Sequence, residues 1–245
     1  MSNDHLSQLN KEELIEIINT KTTYLSMIVH QLRTPLTAEK WFLEMLCSGH
    51  LGITIPHDKH EFIEKASGNI DNALKLLREL SLANQTETWK MHFSPEKKSI
   101  KEILEKSIAL FSVESLSKHI SLVLRSDQNY NYESMVDPDK IGIVFQNIIE
   151  NAIKYSPNGS TVEIQLEQFS ESIVVMVTDH GIGIPFDDQK HVFNRLYRAS
   201  NTQNTPGTGL GLSIAKEICQ YHHSSIWFES IPDIGTTFFV KLPKI

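Results

Sequence analysis

Between Asn10 and Leu46 the chain carries no glycine and a single proline, Pro35. A stretch of that length without a breaker predicts one long helix rather than strands or loops. At about 100° per residue, Leu25, Val29, Leu32, Leu36 and Leu43 fall in one narrow stripe, and Leu14 and Ile18 extend it towards the N-terminus. The segment SGHLGITIP (48–56) has two glycines and a closing proline and breaks the helix. A second helical pattern runs from Asp58 to Asn84, with Phe62, Ile63, Ala66, Ile70, Ala73, Leu74, Leu77 and Leu80 apolar. Two long helices joined by a short loop make an antiparallel hairpin. A lone hairpin leaves much of its stripe wet, so pairing of two hairpins as a four-helix bundle across a two-fold axis is expected.

Pro35 is a costly residue in that helix. It removes a backbone hydrogen bond and clashes with the preceding turn, at about 3 kcal/mol. The missing amide would have served the carbonyl of Gln31, so the helix is loosened beside His30. His30 points away from the leucine stripe, and Thr34 lies one turn further on the same side. A solitary surface histidine usually has no task. A loosened helix beside it is of use where a second reactant must approach.

The pattern changes after the polar stretch TETWKMHFSPEK (86–97), which reads as a linker. A helix is expected from Ile100 to Ser117. Strands are expected near 120–125, 161–168, 172–178, 226–230 and 236–242, with helices at 138–155 and 209–222 between them. Helices alternating with a mostly antiparallel strand set predict a two-layer α/β sandwich. The chain therefore reads as α+β, with a helical hairpin over 1–88 and the sandwich over 89–245.

Composition bounds the partners. The net charge of −7 over 245 residues argues against a nucleic-acid partner, because phosphate-backbone binding wants a basic surface. No run of eighteen apolar residues and no signal-peptide pattern is present, so no membrane span is expected. Cys47 and Cys219 are far apart with no metal-type spacing, which fits a reduced, cytoplasmic chain.

Three segments of the sandwich carry chemistry. In FQNIIENAIKYSPNG (145–159), Asn147, Asn151 and Lys154 fall about one turn apart on a helix face, with Tyr155 beside them. An amide oxygen can ligate a hard cation such as Mg²⁺, and an ammonium can meet phosphate. In TDHGIGIP (178–185), Asp179 leaves a strand into a glycine-rich turn. There it could accept a hydrogen bond from the exocyclic amine of a base, while Gly181 and Gly183 admit a planar ring. In TPGTGLGLSIAKEI (205–218), Gly207, Gly209 and Gly211 run into a helix whose N-terminal amides suit phosphate. Each segment alone is an ordinary helix face, turn or glycine run. Their order and separation behind a histidine-bearing hairpin are not ordinary.

Taken together the motifs resemble the transmitter core of a sensor histidine kinase of two-component signalling. HQLRTPL (30–36) resembles the phosphoacceptor H box, FQNIIENAIKYS (145–156) the N box and DHGIGIP (179–185) the first glycine box. HVFNRLYRAS (191–200) is similar to the F box, GTGLGLSIAK (207–216) to the second glycine box, and DIGTTFFVKLP (233–243) to the closing glycine segment. The resemblance implies a dimerisation and histidine-phosphotransfer hairpin followed by a catalytic and ATP-binding domain of the Bergerat fold.

It also implies roles. His30 matches the phosphorylated histidine, Asn151 the principal Mg²⁺ ligand, and Asn147 the accompanying amide. Lys154 and Tyr155 match nucleotide contacts, and Asp179 the acceptor of the adenine amine. The implied nucleotide-contact set continues through Gly181, Gly183 and Ile184, then through Gly207, Thr208, Gly209, Leu210, Gly211 and Leu212, and closes at Thr236. Arg198 matches the arginine that reaches the γ-phosphate side, and residues 199–208 match the mobile ATP lid. The implied partners are a second copy, joined through the hairpin, and the receiver domain of a cognate response regulator.

Two positions depart from the family pattern. The residue after the phosphoacceptor is usually Glu or Asp, thought to take the imidazole proton; here Gln31 cannot. Its amide oxygen could still hold the imidazole tautomer by a hydrogen bond. Thr34, one turn on, matches the residue that often orients the water dephosphorylating the response regulator. Asp233 stands where glycine is common and reads as a tolerated turn variant. Two functions follow. One is an ATP-dependent histidine kinase that passes its phosphoryl group to a response-regulator aspartate, with or without phosphatase activity. The other is a kinase-impaired nucleotide-binding scaffold acting mainly as phosphatase or binding partner.

Overall fold

The structure, a computed structural model, describes residues 11–48, 57–87, 93–203, 205 and 207–245. Several side chains of the two long helices lie outside that description, among them those of His30 and of residues 11–27, including Leu14, Ile18 and Leu25. The chain divides into two compact units, Met1–Met91 and His92–Ile245.

The first unit is two helices, α1 (Lys11–Cys47) and α2 (His57–Glu87), packed along each other. The connection between them is too short to retrace either helix, so they run antiparallel. Val29, Leu74 and Leu77 are buried, and Lys40 Nζ meets Asp71 Oδ1 across the pair at 2.6 Å. The helix continues through Pro35, and the Thr37 hydroxyl donates back to the Arg33 carbonyl at 2.8 Å, a local bond of the kind that bends helices. The leucine stripe is only partly covered. Leu36 and Leu43 are half-buried, but Leu32 stays 48% exposed, so the hairpin of one chain does not cover the whole stripe.

The second unit is a five-stranded mixed sheet with three helices on one face. Its strands are β2 (Ser121–Ser126), β4 (Thr161–Gln168), β5 (Ser172–Asp179), β6 (Ser225–Ile231) and β7 (Gly235–Pro243), in the order β2-β4-β5-β7-β6. β2 and β4 are parallel and the other three pairings antiparallel. A separate two-stranded ribbon of β1 (Glu96–Ser99) and β3 (Glu133–Val136) abuts the end of β7, where the Ser134 hydroxyl donates to the Pro243 carbonyl. The helical layer is α3 (Ile100–Ala109), α5 (Pro138–Tyr155) and α7 (Gly211–Tyr221), with two short helices, α4 (Ser112–Ser117) and α6 (Phe186–Gln189), outside it. Leu104, Phe145, Ile149 and Ile218 of the helices and Ile164 and Val175 of the sheet fill the core between the layers, each 0% exposed.

Three local expectations differ. The helix expected over 100–117 is two, broken at Leu110–Phe111; beyond the break the hydroxyls of Ser115 and Ser117 bond the carbonyls of Ser112 and Glu114, competing with a continued helix. Part of the expected linker is structured: α2 runs to Glu87, and Glu96–Ser99 pairs with β3. The EKKS strand has no apolar alternation, so tertiary pairing alone makes it a strand. The last helix starts at Gly211, two residues later than expected.

One buried network sets α5 against α7. The Asp137 carboxylate accepts from Lys140 N and Ser94 N, both at 3.1 Å, capping α5. Asp137 N donates to His222 Nε2 at 3.0 Å, and His222 Nδ1 donates to the Ile218 carbonyl at 2.9 Å. An imidazole that accepts at one nitrogen and donates at the other is neutral, and burial holds its pKa below the ordinary histidine value. Phe93 packs against that ring at 4.3 Å between centroids.

Candidate functional site

A cleft enclosing about 820 Å³ out to its open mouth lies in the second unit, walled by α5, the end of β5, β7 and the segment leading into α7. The α5 wall follows from amphipathicity. Ile141, Phe145, Ile148, Ile149, Ala152 and Ile153 are buried in the core, which turns Asn147, Asn151 and Lys154 to the opposite face. Asn151, Lys154 and Tyr155 line the cleft. Asn147, one turn earlier, does not line it: Nδ2 donates to the Ile143 carbonyl at 3.0 Å, and Oδ1 lies so close to Gly211 that a Cβ there would come within 2.6 Å. The last turn of α5 is held from outside. Lys118 Nζ donates to the carbonyls of Ile153 and Lys154, each at 3.0 Å, a cation where the helix dipole is negative.

Asp179 ends β5 and is 6% exposed. Its Oδ1 accepts from Gly181 N at 2.9 Å and Thr236 N at 3.3 Å, which leaves Oδ2 for another donor. Burial raises the carboxyl to about 6, against the lowering effect of those two amides. The glycines around it are there for space. A Cβ on Gly181 would lie 2.4 Å from the Tyr155 carbonyl oxygen, so Gly181 shapes the turn without lining the cleft. A Cβ on Gly235 (φ +145°) would lie 2.1 Å from the Asp179 carbonyl oxygen. Gly235→Ala is therefore expected to destabilise this unit by about 3 kcal/mol or more, from overpacking plus a left-handed backbone. Thermal denaturation checks this, and an unchanged midpoint would contradict it.

Gly183 and Ile184 line the cleft beside Thr236, with Ile184 N donating to Ser230 Oγ at 2.9 Å. Asp233 adopts φ 61° and donates its amide to the Ile182 carbonyl at 2.9 Å. Its position thus demands the left-handed conformation that glycine accepts best and aspartate tolerates.

At the other end, Gly207, Thr208, Gly209, Gly211 and Leu212 line the cleft, whereas Leu210 is buried beneath it at 2% exposure. Leu210 N donates to Thr208 Oγ1 at 3.1 Å. Lys154 Nζ sits against Gly207, where a Cβ would approach it to 2.5 Å, and lies 4.9 Å from the Tyr155 ring centroid. Arg198 lines the cleft and donates Nη2 to the carbonyls of Thr202 and Thr205. The cleft thus sets one desolvated carboxylate among the first glycine turn and two cations near the second glycine run.

Six further residues line it whose inward placement no motif of the sequence marks: Ile182, Val192, Tyr197, Ala199, Thr202 and Phe238. Val192, Tyr197 and Ala199 lie in the segment matched as the F box, but nothing in that string tells which of its residues face inward. Phe238 is one of two adjacent phenylalanines of β7, and strand register decides that it faces the helices.

Of the remaining candidates, Gln31 and Thr34 are exposed on α1, in the other unit, together with the backbone of His30. Among the described residues no group of three or more His, Cys, Asp or Glu side chains is placed to hold a metal. A cation at Asn151 would need most of its ligands from phosphate oxygens and water, a coordination Mg²⁺ accepts. No helix of the described residues is long and apolar enough to cross a membrane.

Known proteins share these features. Residues 136–245 match the family of histidine kinase-, DNA gyrase B- and HSP90-like ATPases, and residues 20–88 match the His Kinase A (phospho-acceptor) domain. The sensor histidine kinase WalK of Bacillus subtilis (strain 168) is 33% identical over 224 residues, which cover 90% of this chain and 36% of WalK. The adaptive-response sensory kinase SasA of Synechococcus sp. (strain JA-3-3Ab) is 28% identical over 235 residues, 95% of this chain and 62% of SasA. The chain thus spans about a third of the first relative and less than two thirds of the second. The crystal structure of full-length ShkA in complex with AMPPNP shares the fold, with a TM-score of 0.73 over 90% of this chain and 45% of that one, at 17% identity. Two family matches in tandem, on the hairpin and then on the sheet unit that holds the cleft, make the chain the transmitter core of a sensor histidine kinase.

Proposed function

We propose that the chain is an ATP-dependent protein-histidine kinase that phosphorylates His30 and passes the phosphoryl group to an aspartate of a response-regulator receiver domain. The observation that carries this reading is the Asp179 carboxylate, buried with Oδ2 left over, in a cleft that also holds Lys154 and Arg198. Such an acceptor suits the exocyclic amine of adenine, and the cations and glycine amides at the other end suit a polyphosphate. Gly207 and Gly211 fit the same substrate, because a Cβ at either would push into Lys154 or Asn147.

In this reading Asp179, Gly183, Ile184 and Thr236 surround the base, and Lys154, Arg198 and the 207–212 run attend the phosphates. Asn151, with Asn147 behind it, would hold Mg²⁺, which when bound screens the phosphate charge. His30 attacks the γ-phosphorus as a neutral imidazole, the bond to the β-phosphate oxygen breaks, and ADP leaves. Neutral imidazole prevails at cellular pH because its ordinary pKa is about 6.5. The residue ranges 1–88 and 89–245 then serve as phosphotransfer hairpin and catalytic domain. Thr34 would orient the water that removes phosphate from the receiver domain. A homodimer through the hairpin is supported by apolar surface one chain leaves open: Leu32, Trp41, Phe42 and Phe62 are 48%, 66%, 56% and 72% exposed. A cytoplasmic site of action accords with two free cysteines, Cys219 being buried with its thiol pushed up to about 12.

Incubation with γ-labelled ATP tests the proposal. Acid-labile, base-stable label on the wild type and none on His30→Ala is the expected result. Label that persists in His30→Ala, or none in the wild type despite nucleotide binding, contradicts it; the second outcome would favour the scaffold.

A further inference from the structure

We infer that Asp188, which does not line the cleft, is a positioning residue that anchors the start of the 199–208 segment and thereby sets Arg198 towards the terminal phosphate. This rests on the nucleotide reading of the cleft. Asp188 lies in the short helix α6, and that turn is itself tied down: Gln189 Nε2 donates to the carbonyls of Ile184 at 3.1 Å and Ser230 at 3.0 Å, so α6 is fixed to the first glycine turn and to β6. From this platform the Asp188 carboxylate reaches across the F-box loop. Oδ1 accepts from the Tyr197 hydroxyl at 2.5 Å, and Oδ2 accepts from both the amide and the hydroxyl of Ser200 at 2.8 Å.

Those donors flank Arg198 on both sides, so the Tyr197 side chain before it and the Ser200 backbone after it are tied to one carboxylate. An ionised acceptor makes stronger and shorter hydrogen bonds than a neutral one. In keeping with that, the three donors hold the carboxyl below the ordinary aspartate range. Asn201 adds a second tie, donating Nδ2 to the Gly183 carbonyl at 3.0 Å. Past these ties, among the described residues, the guanidinium of Arg198 donates to the backbone carbonyls of Thr202 and Thr205, which a phosphate could replace without breaking the anchor.

Isothermal titration of the full chain with AMP-PNP and with ADP tests this. Asp188→Ala is expected to weaken AMP-PNP binding by about tenfold and ADP binding by no more than about twofold, since only the former carries a γ-phosphate for Arg198 to meet. Asp188→Asn keeps one acceptor oxygen and is expected to fall between. Equal losses for both nucleotides, or none, would overturn the anchor. If Asp188→Ala does not fold, Tyr197→Phe decides: it removes one donor and leaves the ring, so the AMP-PNP preference should narrow by about threefold, and an unchanged preference overturns the proposal. A wild type that binds neither nucleotide overturns the nucleotide reading itself, and the anchor with it.

Discussion

Asp179→Asn is expected to abolish adenine-nucleotide binding and, at neutral pH, to raise the melting temperature of the unit that carries it. Both effects come from one buried oxygen. Asparagine can keep an acceptor towards Gly181 N and Thr236 N, so the turn retains its hydrogen bonds. Where Asp179 offers Oδ2 as an acceptor, asparagine offers an N–H₂ group, which faces the amine of a base with a second donor. A buried donor set against a donor loses the hydrogen bond and its desolvation together, and the expected loss of affinity is about 100-fold or more.

The stability change has the opposite sign. The carboxyl titrates at about 6 in the folded chain against 3.8 for an ordinary aspartate, because burial penalises the charged form. Between those values the folded state holds more protons than the unfolded state, so stability falls as pH rises through the window. Above it the penalty is complete, on the order of 2–3 kcal/mol. The substituted amide carries no charge and escapes the penalty. At about 2–4 °C per kcal/mol, the variant should melt several degrees higher at pH 8, and the difference should close as the pH is lowered to 4. Calorimetric titration with ADP and thermal melts across that range read the two effects separately. A variant that binds nucleotide normally, or a melting difference independent of pH, would refute the account.

Gln31→Glu is expected to accelerate autophosphorylation. When phosphate joins one imidazole nitrogen, the proton on the ring must leave. An amide is no base near neutral pH, so on the proposed kinase reading the wild type would react more slowly or lose that proton to solvent. A carboxylate one residue from the nucleophile could take it directly. General-base assistance is typically worth about 10²–10⁴-fold. The gain expected here is about 10- to 100-fold, at or below the lower end of that range. Initial rates of phosphohistidine formation at saturating ATP provide the test, and equal rates for the two proteins would show that proton removal is not limiting. Nucleotide affinity should not change, since Gln31 lies on α1 and the cleft residues all belong to the other unit.

Much of this was legible in the residues. The absence of glycine from Asn10 to Leu46 specified α1, because nothing in that stretch but Pro35 could end a helix, and the helix runs through Pro35. The apolar spacing of α5 likewise specified which side Asn151 and Lys154 present. Local chemistry dominates at such places. It failed where pairing with a distant segment decides the outcome. β1 is a polar EKKS strand that exists through β3, and no local pattern announces that β2 runs parallel to β4.

The division within the site follows the same line. The order of residues along the chain already shows the types of group available: a carboxylate entering a glycine turn, two amides and a lysine on one helix face, and a glycine run before a helix. Which of them face the cleft depends on how distant segments pack. Asn147, Gly181 and Leu210 support it from behind, while Val192, Tyr197 and Phe238 form part of its wall. The reason is physical. Residue type follows from local chemistry along the chain, but burial, and with it the raised pKa of Asp179, comes from segments distant in sequence closing over the same few ångströms.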